Sequence, residues 1–327
     1  RLVDVEGAYH EIGENPEASR IALEVVARFC LEGITNEDEP LIHPSKLNLF
    51  EQNKKERNRL KESYVLKETE NDFWNGYLGK FGTIEQAKVY IDYFEKVQKL
   101  LGTIEEGSAI LDAGCGNGFF GLCLLHSLES ALGTKSDFPK SFVYFGIDLT
   151  PGGLSQAFVR QSQIKAEIDK AFQYNSEVTL AYQRLDFDQI QETPESSNRL
   201  PFADGCFKKV CSSLVVSYLK DPVALVRELR RVLADGGTAV ISSMKPECDM
   251  TVLYHEFITL GEATEKKQDD AQKLLGAAGQ IKLKEQSGIY GFFSEEELIE
   301  IVKAAGFQEY DLFRSLGGQA NIIRVIK

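Results

Sequence analysis

Long apolar runs and an excess of positive charge are both missing from this sequence. No stretch reaches the eighteen or more apolar residues that a membrane-spanning helix requires, and residues 1–20 lack the basic and then apolar pattern of a secretion signal. With 37 Lys and Arg against 50 Asp and Glu, the formal net charge is −13. This balance excludes broad binding to nucleic acid through released counterions. We therefore expect a cytoplasmic protein with no membrane span, whose main partner is not a nucleic acid.

Patterns that bind metal ions are also missing. The 6 cysteines form no CxxC pair, and the 4 histidines do not fall at ligand spacing beside them. We therefore expect reduced, mostly buried thiols and no metal site.

The composition changes along the chain. At 43% hydrophobic residues, a chain of 327 residues can bury a full core. Residues 1–50 contain ten acidic residues against four Lys or Arg, with one helical pattern at 17–33 and a second helical region at about 50–70. We interpret residues 1–70 as a helical, acidic N-terminal extension and residues 71–327 as the main domain.

A strong amphipathic pattern over residues 83–102 predicts a helix just before the change in texture. Thr83 with Gln86 matches a capping box, and Gly102 marks the end of the pattern. From residue 108 onward, short apolar runs alternate with helical patterns. This alternation predicts an α/β fold, a doubly wound and mostly parallel sheet with helices on both faces.

The segment AILDAGCGNGFFG, residues 109–121, joins the first predicted strand to its helix. Read from Gly116 it is a formal GxGxxG, which is typical of nicotinamide dinucleotide sites. That register would extend the strand through Cys115 and bury the carboxylate of Asp112, which is costly. We therefore begin the loop at Asp112, which gives D-x-G-x-G-x-G ending at Gly118. An acid here suits a ligand with a cationic group, such as an ammonium or a sulfonium.

Acidic residues also follow the second and third predicted strands. Asp148 can accept hydrogen bonds from both hydroxyls of a ribose, and Leu149 can cover one face of the base. At the end of the third strand, Asp186 can accept an exocyclic amine, while the Phe187 N–H reaches a ring nitrogen. Asp188 is an alternative to Asp186 for the adenine contact.

These motifs, in this order, resemble the class I, Rossmann-like S-adenosylmethionine-dependent methyltransferases. The matching segments are ILDAGCGNG, GIDLTPGGL, LDF followed by LPFADGCFKKV, and LVVSYLKDPVALVRELRRVLADGGTAVIS. Similarity is greatest to the type 11 group of small-molecule and quinone-biosynthesis enzymes, and it covers roughly residues 75–327. Two departures are a longer path between Asp186 and LPF, and Lys208 or Lys209 where the family has an acid.

The resemblance implies a seven-stranded, mostly parallel sheet whose last strand is antiparallel. It also implies S-adenosyl-L-methionine as the cofactor and S-adenosyl-L-homocysteine as the product. The implied cofactor contacts are Asp112, Gly114, Gly116, Asn117 and Gly118 at the methionine part, Asp148 at the ribose, and Leu149, Asp186 and Phe187 at the adenine.

Methyl transfer from a sulfonium is an in-line displacement that depends mainly on positioning, and an oxygen or carbon acceptor usually also needs a base. We consider His255 and Tyr218 as catalytic candidates, with Ser217 and Tyr254 beside them, against the alternative that each is a packed or surface residue. Because it is rich in aromatic residues and glycine, the segment NDFWNGYLGKFG (71–82) suggests a lid.

In that lid, Trp74 and Tyr77 either cover the cofactor or only pack. We expect the substrate under an insertion at about residues 245–293. The leading hypothesis is methylation of a small-molecule or lipid-like acceptor. Alternatives are a protein methyltransferase whose acidic N-terminal segment binds a basic partner, a non-catalytic regulatory module that binds the cofactor, and, more remotely, a nicotinamide oxidoreductase.

Overall fold

A computed structural model describes residues 70–133, 139–171, 177–192, 197–249 and 265–327. The helical extension predicted before residue 70 lies outside this part of the chain. So do Tyr254 and His255, which belong to the first part of the predicted insertion.

One central sheet carries the fold. The strands are β1 (Ser108–Ala113), β2 (Ser141–Asp148), β3 (Glu177–Arg184), β4 (Gln191–Glu192), β5 (Ser197–Asn198), β6 (Phe207–Ser212), β7 (Leu233–Met244), β8 (Glu309–Ser315) and β9 (Ala320–Ile326). Strands β4 and β5 form a separate short antiparallel pair, and the other seven form the sheet in the order β3-β2-β1-β6-β7-β9-β8. Strand β9 is antiparallel to β7 and β8, and the remaining strands are parallel. This confirms the predicted seven-stranded sheet with its antiparallel last strand.

The sheet order places a switch point beside β1. From β1 the chain moves outward to β2 and β3, and it then returns to β6 on the other side of β1. In doubly wound sheets, ligands bind beyond the carboxyl ends of the strands at such a point. The loop after β1 therefore lies where a ligand is expected.

Helices cover both faces of the sheet. Those in the described ranges are α1 (Glu70–Leu78), α2 (Lys88–Leu101), α3 (Phe119–Gly133), α4 (Pro151–Ala171), α5 (Pro222–Val232), α6 (Glu265–Gln286) and α7 (Glu295–Ala304). Alternate strand residues point to opposite faces, so Ile110 belongs to the apolar cluster that includes residues of α2 and α3, whereas its neighbour Leu111 belongs to the cluster that includes residues of α5 and α7. None of these helices has the length and apolar character that crossing a membrane requires.

The predicted helix over residues 83–102 is split in two. A 3-10 helix spans Phe81–Gln86, Ala87 is extended, and α2 then runs from Lys88 to Leu101. The predicted capping box is therefore wrong, since no side chain caps the start of α2. The buried carboxylate of Glu85 in the 3-10 helix instead accepts hydrogen bonds from the side chains of Asn117 and Arg160. The predicted end of the helix at Gly102 is confirmed.

Candidate active site

The turn after β1 requires glycine at its first position. Gly114 has φ +89°, and the N–H groups of Gly114 and Cys115 both donate to the carbonyl oxygen of Ile147, at 2.7 and 2.9 Å. A Cβ atom added at Gly114 would lie 1.9 Å from Cγ2 of Val215. Both the left-handed backbone and the close approach of the next loop therefore exclude other residues here.

Asp112 does not begin this turn, contrary to the sequence-based expectation. Strand β1 continues through Asp112 and Ala113, which pair with Gly146 and Ile147 of β2, and Asp112 is only 1% exposed. The Tyr144 hydroxyl donates to Oδ2 of Asp112 at 2.7 Å. This hydrogen bond offsets part of the burial cost that the sequence argument treated as excluding an acid from the strand. The D-x-G-x-G-x-G motif still runs from Asp112 to Gly118, but its acidic residue lies in strand β1 and not in the loop.

Burial sets the charge state of Asp112. Desolvation raises the pKa of this carboxyl to about 7, the hydrogen bond from Tyr144 acts in the opposite direction, and the negative charge of Asp148 adds to the rise. The carboxyl therefore exchanges its proton near neutral pH.

Asp148, at the end of β2, holds the glycine turn as well as facing the ligand space. Its Oδ2 accepts from the N–H of Gly116 at 2.8 Å, and its Oδ1 accepts from the N–H and hydroxyl of Thr150 at 2.9 and 2.6 Å. Burial raises the pKa of Asp148, although these three donors favour the ionised form. A ligand hydroxyl would therefore share this carboxylate with the protein's own donors.

The third acidic position follows β3. Oδ1 of Asp186 accepts from the N–H of Asp188 at 3.0 Å and so caps the 3-10 helix Phe187–Gln189. Oδ1 of Asp188 accepts from the N–H of Lys220 at 2.7 Å, which ties this turn to the loop after β6. Both acids border the same cavity, so Asp186 and Asp188 both stay candidates for the predicted adenine contact.

A single cavity of about 420 Å³ brings most of the candidate residues together. Of the proposed cofactor contacts, those that line it are Asp112, Gly114, Gly116, Asn117, Asp148, Leu149, Asp186 and Phe187. Gly118 is not among the lining residues, and its carbonyl oxygen accepts from Nε2 of Gln161 at 2.8 Å. The side chain of Asn117 donates to Glu85, so this residue also fastens the turn to the segment before α2.

Aromatic residues also line this cavity. They are Trp74 and Tyr77 of α1, Tyr90 and Phe94 of α2, Phe119 and Phe120 of α3, and Tyr218 after β6. The ring of Trp74 lies 4.6 Å from that of Tyr218 and 5.5 Å from that of Tyr77, measured between centroids. The two lid candidates therefore both pack and line the cavity.

The candidate bases occupy different kinds of position. Tyr218 borders the cavity. Ser217 is fully buried, with its hydroxyl 2.9 Å from that of Ser243, and it accepts from the N–H of Met244 at 3.0 Å. These contacts make Ser217 a structural link between β6 and β7. His255 lies outside the described ranges and stays a prediction.

Glu70 is a lining residue that the sequence argument missed. It begins α1, and its carboxylate accepts from Nζ of Lys284 at 3.1 Å and from the hydroxyl of Tyr290 at 2.5 Å. Lys284 is largely buried, and its Nζ lies 4.2 Å from the centroid of the Phe73 ring. In the sequence, Glu70 is marked only as an acid just before the aromatic segment. Its partners Lys284 and Tyr290 lie more than 200 positions later, so no local pattern connects them to it.

Comparison with known proteins agrees with this geometry. Residues 86–311 match the family model of a methyltransferase domain. The chain belongs to the methyltransferase-domain family. This methyltransferase takes its methyl group from S-adenosylmethionine, as the resemblance of its motifs implied.

Several solved structures are similar to this chain at low sequence identity. An S-adenosylmethionine-dependent methyltransferase from Aquifex aeolicus is 16% identical, with 77% of this chain and 97% of that chain covered and a TM-score of 0.44. Phosphoethanolamine N-methyltransferase 2 of Haemonchus contortus is 14% identical over 77% of this chain and 57% of that chain, with a TM-score of 0.46. Geranyl diphosphate C-methyltransferase of Streptomyces coelicolor is 13% identical over 72% and 77%, with a TM-score of 0.44. No curated protein sequence matches the methyltransferase significantly.

Proposed function

We propose that this methyltransferase binds S-adenosylmethionine along the ends of β1, β2 and β3 and methylates a small-molecule or lipid-like acceptor held by the aromatic residues. The observation that carries the proposal is one cavity lined by two unlike sets of residues. Acids at or after the ends of β1, β2 and β3 form the set that we term the acidic wall, and aromatic rings from α1, α2 and α3 form the set that we term the aromatic wall.

The acidic wall suits the cofactor. Asp112 and the glycine turn would hold the methionine part, Asp148 the ribose, and Leu149 with Asp186 or Asp188 the adenine. A carboxylate at Asp112 complements the positive charge of an ammonium or a sulfonium. When bound, the cofactor supplies an electrophilic methyl group, and the protein positions the acceptor in line with it.

The aromatic wall suits an apolar acceptor. Pockets that bind small molecules are lined mainly by hydrophobic and aromatic side chains with a few polar groups. The cavity of about 420 Å³ would hold the cofactor together with the reacting end of the acceptor. Tyr218 and His255 remain the proposed bases, and Tyr218 borders the cavity.

Incubation with methyl-labelled S-adenosylmethionine and a fractionated extract of the host tests the acceptor class. We expect label in the small-molecule or lipid pool. Trp74→Ala removes part of the aromatic wall, so it should reduce that label at least tenfold while the Kd for the cofactor changes by less than about twofold. Phe158→Ala is the matched control, because Phe158 is 54% exposed on α4 and does not line the cavity.

Each alternative has its own outcome. Label in the protein pool that disappears when residues 1–50 are deleted would instead support a protein methyltransferase. Cofactor binding with no label in any pool would support a regulatory module.

A further inference from the structure

We propose that Tyr144 is a positioning residue for the cofactor, and that its hydrogen bond to Asp112 sets the pH range in which the cavity binds S-adenosylmethionine. The inference rests on the contact of Asp112 with the cofactor that is proposed above. It concerns binding alone and does not depend on the class of acceptor.

Tyr144 lies among buried polar groups next to the glycine turn. Its hydroxyl donates to Oδ2 of Asp112 at 2.7 Å, and its ring centroid lies 6.1 Å from that of Tyr182. Gln161 is fully buried, donates to the carbonyl of Gly118 at 2.8 Å and accepts from the hydroxyl of Tyr182 at 2.8 Å. Tyr144 therefore bonds the acid at the start of the motif and packs beside the hydrogen-bonded residues that hold Gly118 at its end.

Close packing around the Tyr144 ring also fixes the direction of its hydroxyl. Tyr144 is fully buried, and an added Cβ at Gly146, two residues along β2, would lie 3.3 Å from its ring. The ring is thus closely packed and presents its hydroxyl to the carboxylate of Asp112. Such a hydrogen bond favours the charged form of an acid.

The titratable groups around Asp112 are either negative or neutral. The titratable groups that interact with it are Tyr90 and Tyr93 of α2, Cys115 of the glycine turn, Cys123 of α3, Tyr144 and Asp148 of β2, Tyr182 of β3 and Cys211 of β6. Burial raises the pKa of each of these tyrosines and cysteines, so they stay neutral near pH 7. The hydrogen bond from Tyr144 is therefore the main interaction that keeps Asp112 ionised.

The sign of the pH effect follows from linkage. Burial raises the pKa of Asp112 to about 7, and a cationic ligand binds the ionised form more tightly. Affinity for the cofactor should therefore fall as the pH drops through this range. Without the Tyr144 hydroxyl the pKa of Asp112 rises further, by about one unit, and the loss of affinity begins at a higher pH.

The test is the Kd for S-adenosylmethionine from pH 6 to pH 9, by calorimetry, for the wild type and Tyr144→Phe. Dividing the two Kd values at each pH removes the titration of the cofactor itself. We expect the variant to bind about tenfold more weakly at pH 6 and almost equally at pH 9. A ratio that is the same at every pH would mean that Tyr144 only packs, and it would overturn the proposal.

Two further variants make the result specific. Tyr182→Phe removes a hydroxyl that bonds Gln161 rather than Asp112, so its Kd ratio to wild type should not vary with pH. Asp112→Asn removes the titrating group itself, and its ratio should be largest at high pH. If the Kd of Asp112→Asn follows that of the wild type at every pH, the proposal is wrong, whether or not Tyr144→Phe folds. Because no acceptor is present, these outcomes are independent of the acceptor assay.

Discussion

The two walls of the cavity are built in different ways. The acidic wall comes from one stretch of chain, residues 112–188, in which each acid lies in the last two residues of a strand or in the turn that follows a strand. The aromatic wall combines residues of α1, α2 and α3 with Tyr218 after β6. The wall proposed for the cofactor is thus determined by strand ends and backbone turns, and the wall proposed for the acceptor by the packing of remote elements.

This difference fits the role proposed for each wall. A rigid local motif suffices for a cofactor that does not change. An acceptor differs between enzymes, and side chains on separate helices can be exchanged without disturbing the sheet. We expect the acidic wall to tolerate little change and the aromatic wall to adjust.

The largest expected effect is on the glycine turn. Gly114→Ala places a methyl group 1.9 Å from Cγ2 of Val215, in a backbone conformation that alanine rarely adopts. Val215 is β-branched and has little freedom to rotate away. We expect a loss of about 2–5 kcal/mol in the free energy of unfolding, measured by urea denaturation, and cofactor binding too weak to detect.

Gly107→Ala separates the two causes. Gly107 also has positive φ, +73°, but nothing lies within 4 Å of its added Cβ. It should therefore cost only about 1–2 kcal/mol and leave the Kd for the cofactor unchanged. Equal losses in the two variants would show that the contact with Val215 is unimportant.

The next effect is on the anchor of that turn. Asp148→Ala removes the acceptor for the Gly116 and Thr150 donors, along with the proposed ribose contact. We expect the Kd for S-adenosylmethionine to rise by roughly 10- to 100-fold, since hydrogen bonds to charged groups are lost. Asp311→Ala is the control, because Asp311 is exposed on β8 and pairs only with Arg324 among the contacts described. A rise below threefold for Asp148→Ala would contradict the assignment.

The smallest effect is expected on the aromatic wall. Lys284→Met keeps the apolar stem of the side chain but removes the ion pair that holds Glu70 at the start of α1. Because Glu70 is partly exposed, we expect only a roughly two- to fivefold rise in KM for the acceptor. The Kd for the cofactor should not change.

Amide hydrogen exchange gives an independent measure of the same contact. Residues 70–78 of α1 should exchange faster in Lys284→Met, whereas Lys303→Met, which alters an exposed lysine on α7, should leave them unchanged. Exchange in α1 that is the same in Lys284→Met and the wild type would show that the ion pair does not hold this helix.

Much of the fold and of the acidic wall was predictable from the sequence. Short apolar runs and intervening helical patterns specified the sheet, since they depend on local spacing. The assignment of Asp112 to the loop failed because the hydroxyl that satisfies it belongs to Tyr144, 32 positions later. A buried acid cannot be judged without its partner.

Longer-range contacts explain the remaining misses. The 3-10 turn before α2 depends on Glu85 meeting Arg160, which lies 75 positions away. The role of Glu70 depends on partners that are 214 and 220 positions away. No local pattern marks such pairs. By contrast, the aromatic composition of segment 71–82 was enough to predict that this segment lies at the site.

The distance between Glu70 and its partners also has a consequence for biosynthesis. Helix α1 is among the first described elements to leave the ribosome, yet Lys284 and Tyr290 emerge more than 200 residues later. Every residue of the acidic wall has been translated by then. During synthesis the nascent chain therefore completes the acidic motif well before α1 acquires the contacts that fasten it, because those contacts form only after Lys284 and Tyr290 have been translated.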